Sequence, residues 1–214
     1  MKHKGQTSGD VAGRRMLTER EIYLINNTEH RGKAAAMIIL YSGLRRGELI
    51  PLEWDDIDFL EGTITVSKSV RLAGSPYVVD AIDKTDGARR IIPIPDELCA
   101  YLKTLPRDSV YVCSDDEGGM HTASSWRAMW KDYQAALHRA NGENRDLPRK
   151  VLPAWIDAIN THALRHAYCV MQYLTGVDVP VVTHMTGCSD PGITKAIYAQ
   201  LDKFFGQQAD ATEV

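Results

Sequence analysis

The sequence predicts an α+β fold, a mostly helical domain with a small three-stranded antiparallel sheet to one side. Apolar residues recur at helical spacing through most of the chain, whereas they alternate with a period of two between residues 62 and 95. The chain has 214 residues, of which 44% are hydrophobic and 25% charged. That size and composition suit one globular domain with a sizeable core.

Polar segments flank this domain. Residues 1–15 lack apolar periodicity and are rich in Gly, Ser and Thr, which predicts a flexible linker or arm. Residues 206–214 predict a C-terminal tail, so the folded domain is expected to cover residues 16–205. No run of eighteen apolar residues and no apolar signal segment occurs, so we expect neither a membrane span nor secretion.

The cysteines do not have the spacing of a metal site. They are scattered, with no CxxC pair and no histidine at zinc-finger spacing: Cys99, Cys113, Cys169 and Cys188. We therefore expect a cytoplasmic protein with reduced thiols and no bound metal or cofactor.

Helix signals mark the first fifty residues. Thr18 followed by Glu21 forms a capping box, which predicts the start of a helix. The run KAAAMIILYSG predicts a buried helix over residues 31–42, which Gly43 ends. A further short helix is expected to begin within residues 45–49.

The three strands are predicted by the segments GTITVSKS, PYVVDAI and RRIIPIP. Residues 84–88 form a turn between the second and third segments, which predicts a tight hairpin with Lys84 at its shoulder. A lysine at such a turn is ordinarily a solvated charge at a sheet edge.

Helices resume after residue 95. Residues 124–140 are amphipathic, and their apolar stripe predicts core: Trp126, Met129, Trp130, Tyr133 and Leu137. Three more helices are expected, one capped by Thr161, one from Asp178 to Gly187, and one that carries Tyr198.

The helix at Thr161 places two polar groups together. His162 and Arg165 are three residues apart, so both side chains lie on one face of its first turn. Unpaired main-chain N–H groups and the helix dipole favour an anion there. An isolated HxxR pattern is also typical of an ordinary amphipathic helix, so the interpretation depends on the other motifs.

Charge is unevenly distributed along the chain. The formal net charge of -3 and the pI of about 6.2 argue weakly against nucleic-acid binding. However, residues 1–50 contain nine Lys and Arg against five Asp and Glu, whereas residues 51–100 contain five against ten. A local basic face is therefore compatible with the acidic average.

Five side chains form a candidate site for phosphoryl chemistry: Arg45, Lys84, His162, Arg165 and Tyr198. Two arginines can hold the nonbridging oxygens of a phosphodiester and stabilise its transition state. A tyrosine can attack phosphorus and form a covalent link, and a lysine can protonate the departing oxygen. The arginines supply the positive charge, so this chemistry requires no metal.

The motifs that contain these residues resemble those of the tyrosine recombinases, the phage integrase family. The matching stretches follow one another in the family's order: SGLRRGEL, KTDGARRIIPIP, THALRH and TGCSDPGITKAIY. The resemblance implies the DNA breaking–rejoining fold, with Arg45 as the first catalytic arginine and Lys84 as the hairpin lysine. It further implies that His162 and Arg165 are the HxxR pair and that Tyr198 is the nucleophile. It also implies that Glu48 orients Arg45.

One motif departs from the family pattern. The family usually has His or Trp after the glycine of its L-G-H segment, and this chain has Cys188 there. A thiol is a poorer hydrogen-bond donor than an imidazole and packs less area than an indole. Cys188 therefore has two open interpretations, a weak phosphate-facing group or a filler of a buried corner.

By this resemblance the chain is the catalytic domain of an integrase that cuts and rejoins DNA through a 3′-phosphotyrosyl intermediate. The implied partners are double-stranded DNA with attachment or inversion sites, three further copies in a homotetramer on synapsed DNA, and accessory DNA-bending or directionality proteins. The expected setting is a bacterial cytoplasm, on chromosomal or phage DNA. The chain is then either a fragment of a longer integrase or a short DNA-inverting recombinase. Two alternatives are a type IB topoisomerase-like enzyme and a catalytically weakened DNA-binding or regulatory relative.

Overall fold

The computed structural model describes residues 10–11, 14–71, 78–82, 89–143, 155–188 and 191–212. The helices in these ranges are α1 (Glu19–Asn27), α2 (Gly32–Ser42), α3 (Arg46–Leu49), α4 (Asp96–Lys103), α5 (Ala123–Glu143), α6 (Thr161–Leu174), α7 (Val179–Met185) and α8 (Pro191–Thr212). The strands are β1 (Asp10–Val11), β2 (Arg14–Arg15), β3 (Ile57–Asp58), β4 (Thr63–Val66), β5 (Lys68–Arg71), β6 (Val78–Ala81) and β7 (Arg90–Pro93). The predicted class, mostly helical with a small antiparallel sheet, is confirmed.

The N-terminal helices begin and end as their sequence signals predict. Thr18 and Glu21 form the capping box of α1, and the Glu21 carboxylate also accepts a hydrogen bond from the main-chain N–H of Trp155. Gly43 ends α2 in the left-handed conformation, with φ of 67°. Residues with a Cβ rarely adopt that conformation, so glycine permits the tight turn between α2 and α3.

The core is built around α2. This helix is apolar on almost every side and is nearly fully buried, because α6 packs along it and α1, α4 and α5 cover its other faces. The predicted stripe of α5 is confirmed as core, since all five side chains are buried: Trp126, Met129, Trp130, Tyr133 and Leu137. The packing of α6 against α2 determines where the first turn of α6 lies.

The strands are confirmed, but their pairing differs from the prediction. The first predicted strand breaks at Ser67 into β4 and β5, which belong to different sheets. β4 pairs with β3 and β7 in a three-stranded antiparallel sheet, whereas β5 pairs with β6. In the described residues β6 and β7 therefore do not form the predicted hairpin with each other. β4 turns Ile64 and Val66 into the core, while β6 exposes Val78 and Val79, so the two sheets have different degrees of burial.

The C-terminal end also differs from the prediction. Helix α8 continues to Thr212, so residues 206–212, predicted as a tail, are helical. Gln and Ala predominate there and favour a helix, and they outweigh the single Gly206. At the other end, residues 10–11 and 14–15 of the predicted arm form the short β1–β2 pair, and β1 lies against α8. No helix in the described part of the chain is long and apolar enough to span a membrane.

Candidate active site

Arg45 lies at the turn between α2 and α3. Its main-chain N–H donates a hydrogen bond to Glu48 Oε2 over 2.8 Å, and its Nη1 donates to Glu48 Oε1 over 3.2 Å. The carboxylate of Glu48 is buried, whereas the Arg45 side chain is 44% exposed. The carboxylate therefore fixes one edge of a guanidinium that is still partly exposed to solvent.

The first turn of α6 presents His162 and Arg165. The prediction that Thr161 caps this helix is wrong, because Asn160 is the cap and accepts from the main-chain N–H groups of His162 and Ala163. An Asn side chain that already accepts two of the end N–H groups leaves the following threonine as the first helical residue. His162 is exposed, and Arg165 is partly buried.

A direct contact brings the two arginine motifs together. Arg165 Nη1 donates to the main-chain carbonyl oxygen of Gly43 over 2.5 Å, two residues before Arg45. Burial lowers the pKa of Arg165, and the adjacent charge of Arg45 lowers it further. Arg165 nevertheless remains cationic at neutral pH, since the ordinary arginine pKa is far higher. The structure thus brings Arg165 close enough to Arg45 for their like charges to interact, while the catalytic role of the pair stays a prediction.

The structure adds a third guanidinium that the sequence interpretation missed. Arg90, on β7, has a fully buried side chain, and its Nη1 and Nη2 donate to the two carboxylate oxygens of Glu48 over 3.0 and 2.7 Å. The signal in the sequence is the alternation of β7, because Arg90 shares the buried face with Ile92. A charged residue on the inward face of a strand indicates a buried partner.

The charges around Glu48 do not balance. Burial alone would raise the pKa of its carboxyl, but the hydrogen bonds and charges of Arg90 and Arg45 outweigh burial and hold that pKa below its ordinary value. Glu48 is therefore ionised at neutral pH. Three guanidinium groups then surround one carboxylate among the described residues, and the excess positive charge favours an anion such as a phosphate.

The turn after α7 joins this group. Arg45 Nη2 donates to the carbonyl oxygen of Gly187, which adopts a left-handed φ of 59°. Cys188 follows, partly buried, and its main-chain N–H donates to the Thr183 carbonyl oxygen over 3.0 Å. The structure thus places the residue predicted as a departure from the family pattern directly after a residue that contacts Arg45. Its role toward a phosphate stays a prediction.

Tyr198 lies on α8, and its hydroxyl is hydrogen-bonded to a main-chain carbonyl group. That hydroxyl donates to the carbonyl oxygen of Val177 over 2.8 Å, and its ring meets the Tyr173 ring edge-on at 5.0 Å. Burial, together with Cys169, Asp178 and Tyr173, raises the pKa of Tyr198 to about 12. A phenol with this pKa is protonated at neutral pH, and its hydroxyl is bonded to Val177 and not to an arginine.

One predicted site residue lies outside the described part of the chain, and other polar residues near the site differ in burial. Lys84 and its turn lie outside the described residues, so its role as the hairpin lysine stays a prediction. Two further polar residues of α6, Tyr168 and His166, are buried. Tyr173, on the same helix, is only partly buried, and its hydroxyl donates to Asp202.

A groove beside α6 carries additional positive charge. It has a volume of about 320 Å³, and α3, α5 and the start of α6 form its walls. Its cationic side chains are Arg46, Arg127 and Lys131. The groove also includes Asn160 and Thr161, so it begins at the turn that presents His162.

Sequence comparisons place these features in a family. The phage integrase family profile matches residues 15–204. A tyrosine recombinase XerC-like protein from Caldanaerobacter subterraneus subsp. tengcongensis is 28% identical, over 80% of this chain and 46% of its own length. Tyrosine recombinase XerA from Thermococcus kodakarensis is 25% identical, over 86% of this chain and 55% of its own length. The chain thus spans about half the length of these curated relatives.

Solved structures show the same fold. The Tn1549 transposon integrase in complex with transposon right end DNA has a TM-score of 0.66 at 23% identity, over 86% of this chain and 61% of that one. XerA recombinase has a TM-score of 0.59 at 18% identity, over 97% and 65% of the two chains. Since the family profile matches most of the chain and the arginine, histidine and tyrosine motifs lie within the match, the chain belongs to the phage integrase family of tyrosine recombinases.

Proposed function

We propose that this chain is the catalytic part of a site-specific DNA recombinase that cuts and rejoins double-stranded DNA through Tyr198. The observation that carries the proposal is the pair of guanidinium groups, Arg45 and Arg165, held together with an excess of positive charge over the single carboxylate of Glu48. A phosphodiester gains negative charge at its nonbridging oxygens when it is attacked. Two fixed cations stabilise that charge in the transition state.

The proposed cleavage step exchanges one bond to phosphorus for another. The Tyr198 oxygen forms a bond to phosphorus, the bond from phosphorus to the 5′ oxygen breaks, and the 3′ side stays linked to the tyrosine. The phenolic proton leaves to a base, for which the exposed imidazole of His162 is suited. The departing 5′ oxygen takes a proton from Lys84. Rejoining reverses these steps with a 5′ hydroxyl as the attacking group, so no external energy source is consumed.

This mechanism requires Tyr198 to leave its present partner. A phenol with a pKa of about 12 is a poor nucleophile at neutral pH. Moving it from the Val177 carbonyl toward the arginines would lower that pKa, because nearby positive charge favours the phenolate. DNA binding, or a neighbouring copy of the chain, would supply the change in position.

The proposed substrate is double-stranded DNA that carries an attachment or inversion site. The groove with Arg46, Arg127 and Lys131 continues from the first turn of α6 and fits a phosphate backbone. Four copies acting on two synapsed duplexes, with accessory bending or directionality proteins, complete the proposed assembly. The Tn1549 integrase and XerH structures were solved with their DNA, which supports a DNA partner for this relative.

The test is covalent capture on a nicked suicide substrate that carries the cognate half-site, identified by sequencing around the ends of the genetic element. A denaturing gel should show a protein–DNA adduct for the parent chain and none for Tyr198→Phe. An adduct that persists in Tyr198→Phe would contradict the assignment of the nucleophile. Relaxation of supercoiled DNA without a partner site would instead favour topoisomerase-like activity.

The alternative of a weakened, DNA-binding relative rests on Cys188. If the thiol has removed catalysis, the parent chain forms no adduct, and Cys188→His should gain one. An active parent chain would exclude this alternative. If neither the parent nor the Cys188→His chain forms an adduct, the assay is repeated with a longer chain, in case upstream sequence is required.

A further inference from the structure

The geometry points to Arg90 as a positioning residue of the cleavage reaction, one that acts on the phosphate through Arg45. The inference rests on the proposed function. It concerns a side chain that lies behind the site, since Arg90 is fully buried and does not reach solvent. Its effect would pass through two groups that do contact Arg45, the carboxylate of Glu48 and the turn at Gly187.

The first route is through Glu48. Arg90 donates to both carboxylate oxygens at once, with Nη1 to Oε1 over 3.0 Å and Nη2 to Oε2 over 2.7 Å. Such a paired contact fixes the plane of the carboxylate as well as its place. Arg45 then binds the same two oxygens, through Nη1 and its main-chain N–H. The orientation that Arg90 imposes on Glu48 is therefore transmitted to the Arg45 guanidinium.

The second route is through the turn after α7. Arg90 Nε donates to the Met185 carbonyl oxygen over 2.8 Å, and the Arg45 Nη2 donates to the Gly187 carbonyl oxygen. A Cβ placed on Gly187 would lie 2.7 Å from Arg90 Nη1 and 3.3 Å from Arg45 Nη1. The turn at Gly187 is thus in close contact with both guanidinium groups. Arg45, Glu48, Arg90 and the turn form a closed ring of contacts.

Charge gives a reason for an arginine at this position. If Glu48 were paired with Arg45 alone, the carboxylate would neutralise the cation that is meant for the phosphate. Arg90 shares that carboxylate, so Arg45 and Arg165 keep an excess of positive charge. Compared with well-packed apolar residues, a buried ion pair contributes little net stability, because the loss of hydration offsets the attraction, although removal of one partner alone is destabilising. Orientation and charge are therefore better reasons for this pair than stability.

Arg90→Met and Arg90→Lys test the inference on the suicide substrate. Methionine removes the charge at similar length, and lysine keeps the charge but cannot bridge both oxygens of Glu48. We expect single-turnover adduct formation to fall about a hundredfold in both variants, as for a displacement of about 1 Å in a catalytic group. DNA affinity should stay within a factor of about three, since Arg90 does not face the DNA. Equal losses of rate and affinity would contradict a positioning role.

A double-mutant cycle separates positioning from general weakening of the fold. If Arg90 acts through Glu48, then Arg90→Met combined with Glu48→Gln should be little slower than the worse single variant. If the rate loss of the double variant equals the product of the two single losses, the inference is overturned. If Arg90→Met alone does not fold, Arg90→Lys takes its place in the cycle, because it keeps the buried charge.

A second readout needs no catalysis. In the DNA-free chain with isotope-labelled arginine, the guanidinium signals of Arg45, assigned with Arg45→Lys, should shift or broaden in Arg90→Met and Arg90→Lys. Arg107→Met, an exposed arginine packed on Trp54, is the matched control and should leave them unchanged. Unchanged Arg45 signals in the Arg90 variants would overturn the inference. Shifted signals in a chain that forms no adduct would instead support the inference and count against the proposed function.

Discussion

The Tyr198 hydroxyl donates a hydrogen bond to the main-chain carbonyl oxygen of Val177, 2.8 Å away. Val177 lies in the connection between α6 and α7, so the bond ties helix α8 to that connection. The same region contains a small apolar cluster formed by α6, α7 and α8, separate from the main core. The side chain proposed as the nucleophile is therefore also part of the packing that holds α8 in place.

Tyr198→Phe should consequently lower the free energy of unfolding as well as abolish the adduct. The variant loses one partly buried hydrogen bond, which is worth about 0.5–1.5 kcal/mol. Urea unfolding followed by circular dichroism measures the change. Tyr173→Phe is the matched control, because its hydroxyl donates to Asp202 at the surface and its loss should cost less. A Tyr198→Phe chain as stable as the parent would show that the contact with Val177 is not formed in solution.

Asn160→Ala should destabilise α6 and reduce cleavage together. The Asn160 side chain accepts from the N–H groups of His162 and Ala163, and loss of such a cap typically costs about 0.5–2 kcal/mol. Because His162 lies in the capped turn, fraying of that turn also displaces it. Thr161→Ala is the control, with a small expected effect, and Asn160→Asp should retain most of the stability. If Thr161→Ala were the more damaging variant, the assignment of the cap would be wrong.

The sequence predicted best those features that depend on neighbours along the chain. The Thr18–Glu21 capping box, the end of α2 at Gly43 and the apolar stripe of α5 are each encoded within a few residues, and each is confirmed. The pairing of strands is not local. Nothing in GTITVSKS indicates that Ser67 divides it between two sheets, because the pairing depends on which strand lies opposite.

The site residues also divide into those that local sequence predicts and those that depend on tertiary packing. His162 and Arg165 follow from helical spacing, and the sequence motifs identified Arg45. The contact between Arg165 and Gly43, by contrast, requires knowing how α6 packs on α2. Arg90 is harder to identify from the sequence, because two adjacent arginines after a turn are usually surface charge. Only the buried alternation of β7 distinguishes Arg90 from the exposed Arg89.

Gly43→Ala should be more damaging than an ordinary glycine substitution. Gly43 has φ of 67°, and an added Cβ would lie 2.5 Å from the Tyr168 ring. Its carbonyl oxygen also holds Arg165, so any shift of the turn moves the arginine pair apart. Gly176→Ala is a matched control, since its φ is 75° but nothing lies within 4 Å of its Cβ position.

The two variants thus share a backbone cost of roughly 1–2 kcal/mol for a left-handed residue, and only Gly43→Ala adds the clash. We expect urea unfolding to give a clearly larger loss for Gly43→Ala, and suicide-substrate cleavage to fall in that variant alone. Equal losses of stability in the two variants would contradict the close approach of Tyr168.

The stability of the chain should depend on pH through Glu48. Arg90 and Arg45 hold the pKa of Glu48 below the ordinary value of 4.5, against the opposing effect of burial. A carboxyl with a lowered pKa in the folded state contributes stability that is complete above its unfolded pKa and is lost as pH falls through the folded pKa. The parent chain should therefore lose stability at acid pH by a process that Glu48→Gln lacks.

Urea unfolding of both chains between about pH 3 and pH 7 measures this difference. The advantage of the parent chain over Glu48→Gln should be constant near neutral pH and shrink as the solution is acidified below about pH 4.5. Other carboxyl groups titrate equally in both chains and cancel in the comparison. An advantage that does not change with pH would mean that Glu48 is not an ionised partner of the arginines.

The groove beside α6 should contribute to DNA binding mainly through charge. Arg127 and Lys131 are exposed along α5, and with Arg46 they form a cationic wall that leads to the turn of His162. If each of these side chains neutralises one phosphate, Arg127→Ala or Lys131→Ala should reduce the slope of log affinity against log salt by about one. Fluorescence anisotropy with labelled duplex between about 50 and 200 mM salt measures that slope.

The parent chain should bind duplex DNA with a dissociation constant above the nanomolar range at about 0.15 M salt, because its net charge is -3.

Lys103→Ala, at the end of α4 and outside the groove, provides the matched control with the same loss of one charge. It should leave the slope nearly unchanged, since long-range attraction is screened at these salt concentrations. Substitution of a phosphate-contacting residue should also weaken cognate and unrelated duplexes about equally, whereas a base-reading residue would affect the cognate duplex more. Equal slopes for the Lys131→Ala and Lys103→Ala chains would therefore exclude the groove as a phosphate-binding surface, even if the catalytic arginines act as proposed.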